Sequence, residues 1–266
     1  MTALAATLHD PDARMLPLLE QHAPLLASYA AAAIAITHAT TPNVATLLRE
    51  RGVNLVSGGP DVGAARRDAI AAASHAARTH DVLCIDFDRW LHWAGCYPDE
   101  LLALPGKLRK RRPAPWYACV GRTPRAWKTH PAVQQACEAP TNRALSIAAE
   151  QDLDATAGCS WLSPEGVVIV LSHSTEATNA TDLEWPGFIL RHDPLRLTGI
   201  RVEGLEFETP DFYPREIAAA GGRDAWIAAT YERPAMYATR LGLAADSAAA
   251  LARVKLSRQS SPGARS

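Results

Sequence analysis

The chain has 266 residues, with 27 basic and 28 acidic side chains, a formal net charge of -1 and 48% hydrophobic content. It is long enough to bury a substantial core, as one large domain or a domain plus a lobe, and too balanced in charge to attract nucleic acid or an anionic membrane in bulk. No apolar run approaches the roughly 18 residues of a membrane span, and Met1-Thr-Ala-Leu-Ala-Ala-Thr-Leu-His-Asp-Pro11 lacks a basic leader, so a cytoplasmic protein without a transmembrane segment is expected, its oligomeric state unread.

Residues 3 to 8 form a short apolar segment ending at His9-Asp10. Met15 to Tyr29 reads as a helix, Ala31 to Thr37 as a second apolar run, and Thr41-Pro42 opens a helix to about Arg51. Gly52 ends it before Val53 to Val56, and Ser57-Gly-Gly-Pro60 is a turn. A long helix follows to about Arg78, carrying Arg66 and Arg67. Strands and helices alternating at this spacing indicate crossover units and a largely parallel sheet.

Asp81-Val-Leu-Cys-Ile-Asp-Phe-Asp-Arg-Trp90 is the most informative stretch. Its apolar run reads as a buried parallel strand, and Asp86 and Asp88 follow at its carboxyl end, where open α/β sheets bind ligands. Two carboxylates one residue apart repel unless a cation or donor neutralises them, which a divalent ion on phosphate oxygens would do. The plainer reading is that Asp88 pairs with Arg89 or caps the next turn while Asp86 alone faces a pocket.

Trp90 to Cys96 reads as an aromatic turn, with a helix start at Pro98 to Glu100. Lys107 to Arg112 is a basic run, read as a solvated turn or a phosphate-binding patch. Trp116 to Val120 is the next strand, followed by helices from Pro124 to Cys137 and Thr141 to Glu150. After Asp152 the spacing predicts strands at Ala155 to Leu162, Val167 to Leu171, Phe188 to Leu190 and Arg201 to Phe207. Three helical stretches, at 214 to 220, 223 to 239 and 244 to 256, complete the chain before a frayed end. The five cysteines, at 84, 96, 119, 137 and 159, show neither a zinc pattern nor a disulfide framework.

The order of elements from residue 1 to about 172, with the glycine-containing turn before an arginine-bearing helix and then Ile85-Asp-Phe-Asp88, resembles the GT-A type of nucleotide-sugar-dependent glycosyltransferase. The resemblance implies an α/β, Rossmann-like, mostly parallel sheet with helices on both faces, a mixed-strand acceptor-side region and a helical C-terminal tail. It implies a single catalytic domain over 1-256, with a nucleotide-binding half at 1-150, an acceptor-side half at 151-213 and a helical tail at 214-256; residues 257-266 are expected to be disordered.

By the same resemblance Asp86 and Asp88 sit near the donor diphosphate and a Mg2+ or Mn2+ ion, Asp88 being the direct ligand. Gly63 and the start of its helix approach the donor, Arg66 or Arg67 contacts phosphate or ribose, and His9 and Asp10 begin nucleotide recognition. A helix start and an arginine fork both suit phosphate oxygens, although both arginines can equally be polar-face residues and Asp10 a helix cap. His173 and His192 are the candidates for a further metal ligand. Asp154 and Glu184 are the candidate acceptor bases. Trp90, Trp93 and Trp185 are candidate sugar platforms, or lids over the core.

The leading expectation is therefore an enzyme that moves a sugar from a nucleoside-diphosphate sugar to a small hydroxyl acceptor, without a nucleic-acid partner. A nucleotidyltransferase, a haloacid-dehalogenase-type phosphatase, in which an Asp-x-Asp strand normally comes first, and a non-enzymatic α/β interaction protein are the alternatives.

Overall fold

The computed structural model describes residues 1–59 and 61–254. The expected frayed end at 257-266 lies outside the described residues, as does Pro60 of the expected turn. In chain order the elements are β1 (Ala3–Leu8), α1 (Leu16–His22), β2 (Ala32–Thr37), α2 (Pro42–Glu50), β3 (Asn54–Gly58), α3 (Val62–Ala76), β4 (Val82–Asp86), α4 (Phe87–Cys96), α5 (Pro98–Arg109) and β5 (Tyr117–Arg122). They continue with α6 (Pro124–Lys128), α7 (Ala132–Ala149), β6 (Cys159–Leu162), α8 (Pro164–His173), α9 (Thr181–His192), β7 (Leu197–Val202), α10 (Pro214–Ala219), α11 (Arg223–Tyr231) and α12 (Pro234–Arg253).

The strands form one seven-stranded sheet in the order β3-β2-β1-β4-β6-β5-β7. It is parallel except for β6, which runs against both β4 and β5. β1 shows why the sheet is covered twice. Its alternate residues Leu4, Ala6 and Leu8 join one core with Leu19, Val44, Leu48, Phe87 and Trp90, while Ala3 and Ala5 join a second core with Ala65, Ala69, Leu145, Leu183 and Ile189. The first core lies under α1, α2, α4 and α5, the second under α3, α7, α8 and α9. A third, smaller cluster of Val133, Cys137, Phe207, Trp226 and Tyr231 fastens α11 to the start of α7.

The topology fixes where a ligand can sit. From β1 the chain winds outward to β2 and β3, then returns through α3 to β4 on the other side of β1. The strand order reverses between β1 and β4, since the chain leaves β1 toward β2 and leaves β4 toward β5 on the other side, and this opens a crevice outside their carboxyl ends. Leu8 and His9 end one strand and Asp86 ends the other.

Four expectations change. The apolar runs at Val167 to Leu171 and Phe188 to Leu190 lie within helices α8 and α9, and Trp90 to Cys96 is helix α4, not a turn. Arg201 to Phe207 is the end of β7 followed by irregular chain. A continuous apolar run looks alike in a buried strand and a buried helix, and Pro186 lay inside α9 where proline usually argues for a break. The region after Asp152 is thus built from β6, α8, α9 and β7.

Gly63 contributes by close approach. Its N–H donates to the Ala177 carbonyl at 2.8 Å, and a Cβ at this position would lie 2.1 Å from the Glu176 carbonyl oxygen. Backbone cannot retreat as a flexible side chain can, so Gly63→Ala should destabilise the protein by about 1–3 kcal/mol. Urea unfolding checks this, and an unchanged midpoint would show that the 174–178 segment yields freely.

Candidate functional site

At the switch point a cleft of about 620 Å³ is lined by Thr7, His9, Thr37, His38, Gly59, Val62, Asp86, Asp88 and Asn179 among others. A smaller inner chamber of about 100 Å³ shares Asp86 and Asn179 with it and is lined by Arg66, Arg89, Glu138, Thr156, Gly158, Asp182 and, from α12, Arg240 and Ser247. The paired carboxylates stand between the two.

Their environments differ. Asp86 ends β4 and receives both Arg66 Nη2, at 3.0 and 3.2 Å from its two oxygens, and the Thr7 hydroxyl at 3.2 Å. Arg66 also binds Asp182 at 2.7 Å and the Thr181 hydroxyl at 3.0 Å, so one buried guanidinium ties α3 to β4 and α9. Burial disfavours a charged arginine, and the two carboxylates outweigh that, keeping Arg66 charged. Asp88 lies in the first turn of α4, where its Oδ1 accepts the Arg89 N–H at 2.8 Å. Among the described residues no basic side chain lies within 4.0 Å of its oxygens. Burial first, then Glu208 and Asp86, push the Asp88 carboxyl up to about 7, against the pull of Arg89. Asp88 is a half-buried carboxyl group with no basic side chain of its own to pair with among the described residues.

Gly158 closes the base of this arrangement. Its carbonyl accepts the Asp86 N–H at 3.1 Å, its φ is +63°, and a Cβ there would lie 2.5 Å from Asp86 Oδ2 and 2.9 Å from Arg89 Nε. The loop carrying it is held by a buried network. Arg122 binds Asp154 through Nε at 2.8 Å and Nη2 at 2.7 Å, and Asn142 Nδ2 binds Asp154 at 2.7 Å. Arg122 also pairs with Glu138 at 2.7 Å.

Of the other expected residues, His9 lies in the cleft, with Nδ1 2.8 Å from the Thr37 hydroxyl. Asp10 is buried and spends both oxygens on the N–H groups of Arg14 and Met15, so it is a cap and not a nucleotide contact. Arg66 is committed to the carboxylates of Asp86 and Asp182, and Arg67 Nη1 bonds the Ser174 hydroxyl and the Glu176 carbonyl. Gly63 faces the 176–177 backbone.

His173 and His192 face each other, Nε2 to Nε2 at 3.2 Å, both exposed on α8 and α9, and neither joins the Asp86/Asp88 carboxylates. Trp90 and Trp93 are fully buried, donating to Tyr29 Oη and Glu100 Oε2, each at 3.0 Å. Trp185 is buried and donates to Ser174 Oγ at 2.9 Å, and the same hydroxyl donates to Glu184 at 2.5 Å. These tryptophans are core residues. Glu184 and Asp154 hold structure and are not poised as bases.

Arg89 was expected only as a partner for Asp88, and Glu208 was not singled out by sequence. Glu208 is buried, its Oε2 lies 3.4 Å from Arg89 Nη1, and it contributes to the field on Asp88. Its one advance signal was the acidic run from Glu203 to Asp211, which reads as a solvent-facing edge because acids usually are.

No family model matches the chain, and no curated protein matches it. Among solved structures it is similar to glucosyl-3-phosphoglycerate synthase from Mycobacterium tuberculosis. The complex with uridine diphosphate has 15% identity and a TM-score of 0.49, covering 76% of this chain and 72% of that one. The complex with Mn2+, uridine-diphosphate-glucose and phosphoglyceric acid has 15% identity and a TM-score of 0.46, covering 75% and 69%. The complex with Mn2+, uridine diphosphate and glucosyl-3-phosphoglycerate has 14% identity and a TM-score of 0.47, covering 76% and 71%. A likeness of this size assigns no role to any residue here.

Two substitutions separate the carboxylates. Arg66→Met removes one partner of a buried ion pair and should cost about 3–5 kcal/mol in denaturant unfolding. Asp88→Asn should act in the opposite direction. The raised Asp88 carboxyl favours the folded state while protonated, and that contribution is lost as pH rises from the ordinary value of 3.8 through about 7. The metal-free Asn variant should therefore melt about 2–4 °C higher than the parent at pH 8, with the gap narrowing at pH 5. An equal melting temperature at both pH values would show that Asp88 is already compensated.

Proposed function

We propose that the protein transfers a sugar from a nucleoside-diphosphate sugar to a hydroxyl acceptor, with a divalent cation held at Asp88. The observation that carries this reading is the Asp88 carboxylate, without a basic partner among the described residues, lining a cleft of about 620 Å³ at the sheet's switch point. A hard cation is what such a carboxylate lacks, and the donor set, oxygen only, suits Mg2+ or Mn2+. When bound, the ion neutralises charge on the diphosphate leaving group.

The chain's own groups divide the remaining work. Asp88 holds the cation, and Arg66 with Thr7 keeps the Asp86 carboxylate turned toward the cleft. The strand ends at His9 and Thr37, with the apolar floor of Ala35, Val62 and Ala65, receive the nucleoside. The inner chamber beyond Asp86, under Arg240, Leu243 and Ser247 of α12, receives the acceptor. The Arg66 and Thr7 bonds on Asp86 also weigh against that carboxylate acting as a free nucleophile, as a phosphatase of the Asp-x-Asp kind would require.

Titration with uridine, guanosine and adenosine diphosphates, each with and without Mn2+, tests the reading. At least one should bind ten-fold or more tightly with Mn2+, and Asp88→Asn should abolish that gain while Glu184→Gln retains it. If added Mn2+ changes no nucleotide affinity in the parent protein, the proposal fails. Incubation of the tight-binding nucleotide's sugar conjugates with hydroxyl acceptors then tests transfer by mass spectrometry of the product.

A further inference from the structure

Helix α4 has a second polar face. Asp88, His92 and Cys96 follow at four-residue spacing and so stack on one side of the helix. The chain after β7 lies opposite and brings Glu206 and Asp211 against His92. Among the described residues, His92, Cys96 and Glu206 form the one set of three potential ligands whose donor atoms all lie within 4.8 Å of one another.

The contacts decide which ring nitrogen is available. Nδ1 lies 2.5 Å from Asp211 Oδ2, and Nε2 lies 3.3 Å from Glu206 Oε1. With Nδ1–H donating to Asp211, the Nε2 lone pair faces a carboxylate oxygen. Two acceptors in that relation need a second ring proton or a cation between them. A separation of 3.3 Å is what two ligands keep when each is about 2.0–2.1 Å from one tetrahedral ion. A carboxylate on the far nitrogen is the usual support of a metal-bound histidine. Arg125 holds the other oxygen of Glu206 at 2.6 Å and Tyr97 Oη donates to Oε1 at 3.3 Å, which orients the carboxylate. His92 is buried, and Cys96 is exposed; its Sγ lies 4.0 Å from Nδ1, so ligation beside Nε2 requires a rotation of this solvent-facing side chain.

We propose that His92 Nε2, Glu206 Oε1 and Cys96 Sγ bind a borderline-soft divalent transition ion of the Zn2+ type, with Asp211 positioning the imidazole. Water completes a four-coordinate shell, and Cys96 gives its proton to solvent on ligation. The thiolate and imidazole distinguish this site from the oxygen-only pair Asp86 and Asp88, which suits harder ions. The ion ties α4 to the segment from Glu206 to Asp211, and that segment carries Glu208 to the side of Asp88. The site does not depend on the sugar-transfer reading.

Co2+ titration of the full chain is the test. One equivalent should produce a thiolate-to-cobalt charge-transfer band in the near ultraviolet, displaced by Zn2+ and unaffected by excess Mg2+. Cys96→Ser should abolish the band, and Asp88→Asn should keep it. Stoichiometric Zn2+ should raise the melting temperature of the parent protein by several degrees and leave that of Cys96→Ser unchanged. A parent protein without the band overturns the site and leaves His92 as an imidazolium between two carboxylates. A band that survives Cys96→Ser overturns it equally, by placing the ion on another cysteine.

Discussion

The carboxyl edge of the sheet depends on one buried cation. Arg66 reaches from α3 to Asp86 at the end of β4 and to Asp182 at the start of α9, joining three elements distant in sequence. Burying a guanidinium is costly unless its partners are close and its remaining donors are satisfied. Here both hold, with the Thr181 hydroxyl taking a further bond. Because Arg66 satisfies Asp86 internally, the negative charge left over belongs to Asp88, and it is left at the cleft. The Asp-x-Asp pair is thus divided: one carboxylate is part of the scaffold, and the other has no such partner.

The rest of the polar interior follows the same rule. Arg122 is fully buried and is matched by Asp154, Glu138 and the Thr156 hydroxyl, and this network sets the 153–158 loop. That loop delivers Gly158 to a spot where any side chain would strike Asp86 and Arg89. Arginines and acids that alternate through the interior therefore act as spacers, fixing where backbone and carboxylate lie. Asp154 was the more deceptive residue for this reason. An acidic residue before a glycine-containing turn looks like a base, yet all of its capacity is used by Arg122 and Asn142.

The first half of the fold was legible because it obeys local rules. β1 to β4, α2 and α3 have apolar runs, proline starts and glycine stops at regular intervals, and their observed bounds differ from the expected ones by a residue or two, whereas the helix expected from Met15 to Tyr29 is α1 to His22 followed by a 3-10 helix over Ala23–Ser28. The second half was not, because α9 is buried nearly all round and α8 carries an apolar residue, Val168, on its exposed side, so neither shows an amphipathic signature. The site was legible as chemistry and not as partnership. Asp86, Asp88 and His9 meet at the cleft as expected. The tryptophans, His173, His192 and the two proposed bases were plausible by residue type, and only packing reveals that each is already occupied. Glu208 was hidden for the converse reason, since an acid among acids gives no sign of being the one that is buried.

The roof of the inner chamber comes from the last helix. Arg240, Leu243, Ala244 and Ser247 of α12 face Arg66, Asp86 and Glu138, although the sheet and both flanking layers are encoded before residue 203. During synthesis the residues of the carboxylate pair therefore leave the ribosome before the helix that closes over them. The enclosed compartment exists only after residue 247 has left the ribosome, so a nascent chain can fold its sheet without yet possessing the chamber in which an acceptor would be held.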